Sequence, residues 1–398
     1  MNEERWLLPA GIEEILPPQA RVIETLRREL LDLYSSWGYE LVIPPFIDYL
    51  ESLLTGTGQD LDLQTFKLTD QLSGRLLGVR ADMTPQVARI DAHHLRRETP
   101  TRLCYLGTVL HTRSDDFAGT RSPLQIGAEI YGHSGIESDV EILRLIMLTL
   151  RTAGIRETYL DLGHVGIYRG LARQAGLSPV QEHDLFDALQ RKAISEIETL
   201  IATSGVVGAQ ARMLTALAEL NGSDALERAT RLLREADPRV RAAVDELRQL
   251  AAELQRWLPD VSIHYDLAEL RGYRYKTGAV FAAFVPGWGL EIARGGRYDD
   301  IGRVFGRARP AVGFSTDLKE LLRHGARQDA VDAAVYAPWS ADAALQECIM
   351  RLRAAGRRVI QALPEGASGP HPSALGCRQQ LVERGGRWEL EDLLANQG

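Results

Sequence analysis

Apolar residues recur at helical spacing in two clear stripes along this chain. Val22, Leu26, Leu30, Leu33 and Trp37 form the first. Pro17–Pro18 opens it, since proline in a first helical turn loses no hydrogen bond, and Gly38 stops it. Val240, Val244, Leu247, Ala251, Leu254 and Leu258 form the second, behind an Asp237–Pro238 cap-and-start pair. Helical patterning fills the stretch from Gly166 to about Pro259, and another helix is predicted over 137–153. Between them, short apolar runs read as strands. They are YELVI, broken by Pro44–Pro45; Phe66–Leu68 and Arg75–Arg80 around the turn Asp70–Gly74; Thr158–Leu162; and Ile263–Asp266. Ala279–Phe284 and Leu290–Ala293 flank a hairpin turn at Gly287–Trp288–Gly289.

A further hairpin is predicted from Leu103–Leu110 and Pro123–Tyr131, around a polar loop carrying His111, Arg113, Asp115, Asp116 and Arg121. Thr84 is expected to cap a helix starting at Pro85. Ala311–Phe314 reads as a strand running into a helix, Asp317–Arg323. A linker near 324–331 leads to a tail of strand (Ala333–Tyr336), helix (340–354) and strand (Arg358–Ala362), then a Gly/Pro-rich break, EGASGPHPSALG. The expected organisation is a core over 1–325, including a helical insertion at about 166–259, and a truncated α/β C-terminal domain over 331–398. Strands and hairpins on both sides of a helical block imply an α+β fold, a largely antiparallel sheet flanked by helices.

Composition narrows the function. A length of 398 residues is long for one core, and 45% hydrophobic with 25% charged residues is ordinary for a globular protein. A formal charge of −8 argues against a broad nucleic-acid-binding face. Cys104, Cys348 and Cys377 lie far apart with no CxxC or CxxH spacing, so neither a disulfide framework nor a metal site is expected. No apolar run reaches the ~18 residues that spanning a bilayer requires. MNEERWLLPAGIEEILPP lacks a basic region followed by an apolar one, so no signal peptide and a cytoplasmic location are expected.

Four segments set polar residues at strand ends. VRADMTP carries Arg80, Asp82 and Thr84; QIGAE carries Gln125 and Glu129, four apart and so on one strand face; ELRGYRYKTG carries Arg271, Tyr273, Tyr275 and Lys276; ARGGRYDD carries Arg297, Tyr298 and Asp299. Taken singly, Asp82 is a helix cap, Gln125 and Glu129 a solvated face, and GGRYDD a turn. Taken together they have the chemistry of a pocket for a free amino acid. Asp82, Thr84 and Gln125 suit an α-ammonium and Arg271 an α-carboxylate; Glu129, Tyr275 and Tyr298 suit a polar ring.

These segments carry a family resemblance. The element at 18–45 resembles the first motif of class II aminoacyl-tRNA synthetases. VRADMTP resembles the LRPEGT of histidyl-tRNA synthetases, with Asp82 and Thr84 at the ammonium-binding positions. YLGTVLHTRSDDFAGTRSPLQIGAEIYG resembles their second motif, ELRGYRYKTG the histidine-specific RGLDYY segment, GGRYDD the GGRYD loop, and AVGFSTDLKELL the third motif. The resemblance spans about residues 5–325 and implies a class II synthetase-like core.

The departures matter as much. His111 falls where the second motif has the arginine that grips the ATP α-phosphate, and Glu320 where the third motif has its arginine. An imidazole lacks the guanidinium fork, and a carboxylate turns attraction for phosphate into repulsion; at ~4 Å and an effective dielectric of about 20 a unit pair is worth roughly 4 kcal/mol. Arg113, two residues along, is the neighbour able to replace the first contact. Lys276 stands where the synthetase motif has its second tyrosine, so with Arg113 and Tyr273 it makes a secondary set of pocket candidates.

This pattern resembles the synthetase-paralogue family of regulatory subunits of ATP phosphoribosyltransferase. The resemblance implies a non-catalytic subunit, without catalytic residues, cofactor or metal, acting in histidine biosynthesis. It further implies partnership with a short catalytic subunit in a hetero-oligomer, expected as a hetero-octamer; a dimer formed through the first motif; histidine as ligand and feedback regulator; and no tRNA and no membrane partner. The alternatives are a divergent histidyl-tRNA synthetase and another synthetase-paralogue binding protein.

Overall fold

The stripe after Pro18 becomes the helix Gln19–Ser36, which buries Ile23, Leu26, Leu30 and Tyr34. The buried line is therefore rotated from the expected one: Val22 and Leu33 sit at its flanks. The computed structural model describes residues 6–55, 59–114, 119–270, 272–273, 275–326, 334–363 and 371–393. By contacts the chain divides into two units, Met1–Arg327 and Gln328–Gly398.

The first unit is built on a nine-stranded, largely antiparallel sheet. Its strands run, edge to edge, Glu40–Leu41, Thr101–Thr108, Leu124–Tyr131, Ala311–Asp317, Glu291–Arg297, Ala279–Phe284, Tyr159–His164, Ser262–Asp266 and Asn221–Gly222. Period-two alternation sorts the side chains between two faces. One face sends Cys104, Ile126, Ala128, Phe281 and Phe314 into the main core with the helices Gln19–Ser36 and Ile136–Thr152. The other sends Leu103, Tyr105 and Tyr131 into a smaller cluster with Met83, Val87, Tyr298 and Ile301. The candidate site lies on this second face.

The helical block is realised as six helices, from Val165–Gln174 to Pro238–Trp257. The second predicted stripe is buried along the last of them, with Asp237 accepting from the Arg239 N–H at 2.9 Å. Asn221–Gly222, within this block, adds an edge strand to the main sheet. One capping expectation is corrected. The helix Thr84–Arg89 starts at Thr84 itself, and the Asp82 carboxylate accepts the Thr84 N–H at 3.0 Å. Thr84's hydroxyl is thereby left for the site.

The second unit holds a four-stranded sheet in the order Val359–Gln361, Ala334–Ala337, Cys377–Arg384, Arg387–Asp392, with the helix Ala343–Ala354 packed on it. The last two strands were absent from the expected pattern. Their turn is Gly385–Gly386, both at positive φ, the conformation a two-residue hairpin needs. Among the described residues no helix is long and apolar enough to cross a membrane. Nor, among them, are three or more His, Cys, Asp or Glu side chains grouped to hold a metal ion.

Candidate functional site

Strand register assembles the site. In the hairpin, Tyr105 stands opposite Gly127 and Leu103 opposite Glu129. On the other side of Leu124–Tyr131, Gly313 stands opposite Glu129, Ser315 opposite Gly127, and Asp317 opposite Gln125. Gln125, Glu129 and Tyr105 therefore share one face, as the four-residue spacing predicts for the first two. Between Gln125 and Glu129 stands Gly127, and the Tyr105 phenol folds over it.

Glu129 is 1% exposed. Its Oε1 accepts from Tyr105 Oη at 2.9 Å and Thr84 Oγ1 at 3.2 Å, and its Oε2 accepts from Tyr298 Oη. Burial pushes its pKa up to about 8; the hydroxyl bonds pull the other way, and the charge on Asp82 adds to the rise. Such a carboxyl is poised to take a hydrogen-bond donor or a cation into a site closed to water.

A second polar knot lies one row along. Asp82 Oδ1 accepts from Gln125 Nε2 at 2.8 Å as well as from the Thr84 N–H, and Gln125 Oε1 accepts the Met83 N–H at 3.0 Å. The strand-to-helix junction and the hairpin are thus fixed to each other, and Asp82 and Gln125 face the same space as Glu129. Tyr298 is buried with its ring edge-on to Tyr131. Tyr275 is 37% exposed. Its pKa is pushed up to about 12, first by desolvation, then by Asp82 and, more weakly, Glu129, with Arg294 opposing.

Other candidates do different work. Tyr273 turns to the helical insertion: its hydroxyl donates to Glu182 Oε1, its ring lies 5.4 Å from those of Tyr168 and Phe186, and Arg169 stacks on it at 4.8 Å. Aromatic packing and the Glu182 bond engage it on the side of the insertion. Lys276 is buried, its ammonium donating to the Gly295 carbonyl at 2.6 Å and its stem lying against Gly296, on the face that carries Glu129. Arg113 is exposed on the hairpin loop. Arg271 lies outside the described residues.

The two positions that lack arginine are clear. His111 is buried, and its Nε2–H donates to the Ala81 carbonyl at 2.9 Å. Glu320, on the helix Leu318–His324, pairs with Arg323 at 2.6 Å and approaches His324 at 3.6 Å. One side chain is thus engaged by backbone, and the other is an anion paired within its own helix.

Sequence reasoning missed Tyr105, which ties Thr84 to Glu129. Its signal was the hairpin register: a residue opposite Gly127 must share a face with Glu129.

Comparison with known proteins agrees with this architecture. Residues 11–321 match the histidyl-tRNA synthetase family, and residues 332–391 match the ATP phosphoribosyltransferase subunit HisZ C-terminal domain. The chain is 59% identical over 395 residues to an ATP phosphoribosyltransferase regulatory subunit of Thioalkalivibrio sulfidiphilus, covering 98% of this chain and 100% of that one. It is 58% identical over 396 residues to that of Alkalilimnicola ehrlichii, covering 98% of each. A crystal structure of an ATP phosphoribosyltransferase regulatory subunit/histidyl-tRNA synthetase from Bacillus halodurans superposes with a TM-score of 0.81 at 24% identity, over 93% of this chain and 95% of that one. That likeness shows a shared fold.

Proposed function

Because this chain belongs to the family of ATP phosphoribosyltransferase regulatory subunits, we propose that it serves as the non-catalytic subunit that joins a short catalytic subunit and senses histidine in the Glu129 pocket. The supporting observation is an asymmetry. A closed set of polar groups suited to a zwitterion with a nitrogenous ring stands intact around Glu129, Asp82, Thr84 and Gln125. The positions of the two phosphate-gripping arginines hold a backbone-bonded imidazole and a carboxylate. Asp82 and Gln125 receive the ammonium, and Glu129 and Tyr298 the imidazole of the ligand. ATP in the synthetase mode meets neither clamp.

Histidine acts through linkage: binding here favours a less active arrangement of the complex, with a coupling typically of ~1–3 kcal/mol. Self-association uses the first motif. The strand Glu40–Leu41 is a sheet edge, and Leu41, Ile43, Phe46 and Ile47 beside it are 45–79% exposed. The catalytic partner supplies the phosphoribosyl chemistry, and the hetero-oligomer is a cytoplasmic hetero-octamer. A net charge of −8 disfavours a broad tRNA-binding face.

Mixing the purified chain with a short catalytic subunit tests this. A shared gel-filtration peak with raised phosphoribosyltransferase activity, inhibited by histidine, is expected. Separate peaks with unchanged activity contradict it.

A further inference from the structure

The polar floor does not end at Glu129. Strand Glu291–Arg297 continues it, with Gly296 opposite Gly313 and Arg294 opposite Ser315. Gly127, Ser315 and Arg294 therefore form one row across three strands, and Glu129, Gly313 and Gly296 the next. Arg294 stands two strands from the Glu129 strand, roughly 10 Å across the sheet and about 7 Å along it from Glu129. Between them lie glycines and a serine. The Tyr105 phenol lies over Gly127 and the Lys276 stem over Gly296, flanking the strand between, where Gly313 and Ser315 stand.

We infer that Arg294 holds the carboxylate of the amino-acid ligand, completing a three-point site with Glu129 at the ring and Asp82 with Gln125 at the ammonium. The inference rests on the histidine pocket proposed above and adds to it a residue assigned no role so far. The anionic end of a zwitterion must lie away from Glu129 and Asp82, and the opposite end of this sheet face is where Arg294 stands. Its side chain is 55% exposed, and its ion pair with Glu291, at 3.3 Å, is of the solvent-screened kind that a ligand carboxylate can displace. A planar fork suits a carboxylate bidentately, where a lysine offers only a point charge. Tyr275, whose hydroxyl feels Asp82, Arg294 and Glu129, lies within the field of all three corners.

The test is calorimetric titration of the full chain with L-histidine and with histamine, which keeps the ring and the amine but lacks the carboxylate. Wild type is expected to bind histidine more tightly than histamine. Arg294→Gln should weaken histidine binding about ten- to hundredfold while leaving histamine binding unchanged, and Arg294→Lys should fall between. Equal histidine affinity in Arg294→Gln and wild type overturns the inference. So does a result in which Arg271→Ala alone removes the preference for histidine over histamine, since the carboxylate then belongs to Arg271. Wild type that binds neither compound removes the pocket itself. Exposure of the Arg294 side chain means the variants should fold, which an unchanged melting temperature checks.

Discussion

Glu129 and Gly313 face each other on neighbouring strands so closely that a Cβ on Gly313 would lie 1.4 Å from Glu129 Oε2. The glycine is the space the carboxyl occupies. Gly313→Ala should therefore expel the Glu129 side chain from its hydroxyl partners and destabilise the fold by about 1–3 kcal/mol, as overpacking does. Urea denaturation of Gly313→Ala, Glu129→Ala and the double variant checks this. The double variant should cost less than the sum of the two single variants, because the clash with Glu129 is then gone and only the Ala128 carbonyl, 2.7 Å from the new Cβ, remains; strict additivity of the two costs contradicts the relationship.

The raised pKa of Glu129 makes stability depend on pH in a stated direction. Unfolded, the carboxyl titrates near its ordinary 4.5; folded, near about 8. Between those values the folded protein keeps a proton the unfolded chain has released, so this group's contribution to stability is full below 4.5 and is lost as pH rises to about 8. Glu129→Gln cannot titrate. The stability of the variant relative to wild type should rise by a few kcal/mol between about pH 5 and about pH 8.5. Parallel denaturation curves at both pH values contradict it.

His111 is engaged by the fold. His111→Ala strands the buried Ala81 carbonyl and should cost about 1–3 kcal/mol. Thermal melting reads the loss. An unchanged melting temperature would show the imidazole to be dispensable and open to another role.

Arg309 and Asp91 form a pair buried on both sides, with Nη1 at 2.9 and 3.2 Å from the two carboxylate oxygens and Nη2 donating to the Thr99 carbonyl at 2.8 Å. Arg309→Ala leaves an uncompensated carboxyl and should destabilise by about 3–5 kcal/mol. Asp91→Asn with Arg309→Met should recover much of that loss in denaturant titrations; a double variant as unstable as Arg309→Ala contradicts the pairing.

Much of this was legible in the sequence, for identifiable physical reasons. The stripe from Val240 to Leu258 and the hairpin ending at Tyr131 are periodicities of 3.6 and 2, and both elements form within a few residues of the expected bounds. Gln125 and Glu129 share a face because four residues on a strand allow nothing else. Tyr105 was not seen because it sits in an apolar run, RLCYLGT, where only the partner strand reveals which face its hydroxyl reaches. Arg294 was passed over for the same reason: next to GGRYDD it reads as part of a turn, and its place opposite Ser315 is a property of the neighbouring strand. Spacing cannot tell a pocket tyrosine from one stacked on a helix of the insertion, as Tyr273 stacks on Phe186. The last hairpin carried its signal in Gly385–Gly386, masked by charged residues on both strands.

The most direct measurement is a pair of calorimetric titrations of the isolated chain, one with histidine and one with ATP–magnesium. A pocket that has kept its zwitterion contacts without the phosphate cations should give saturable heat with histidine and none with the nucleotide. Saturable ATP binding, competing with nothing but supporting histidine-dependent pyrophosphate exchange, would contradict that claim.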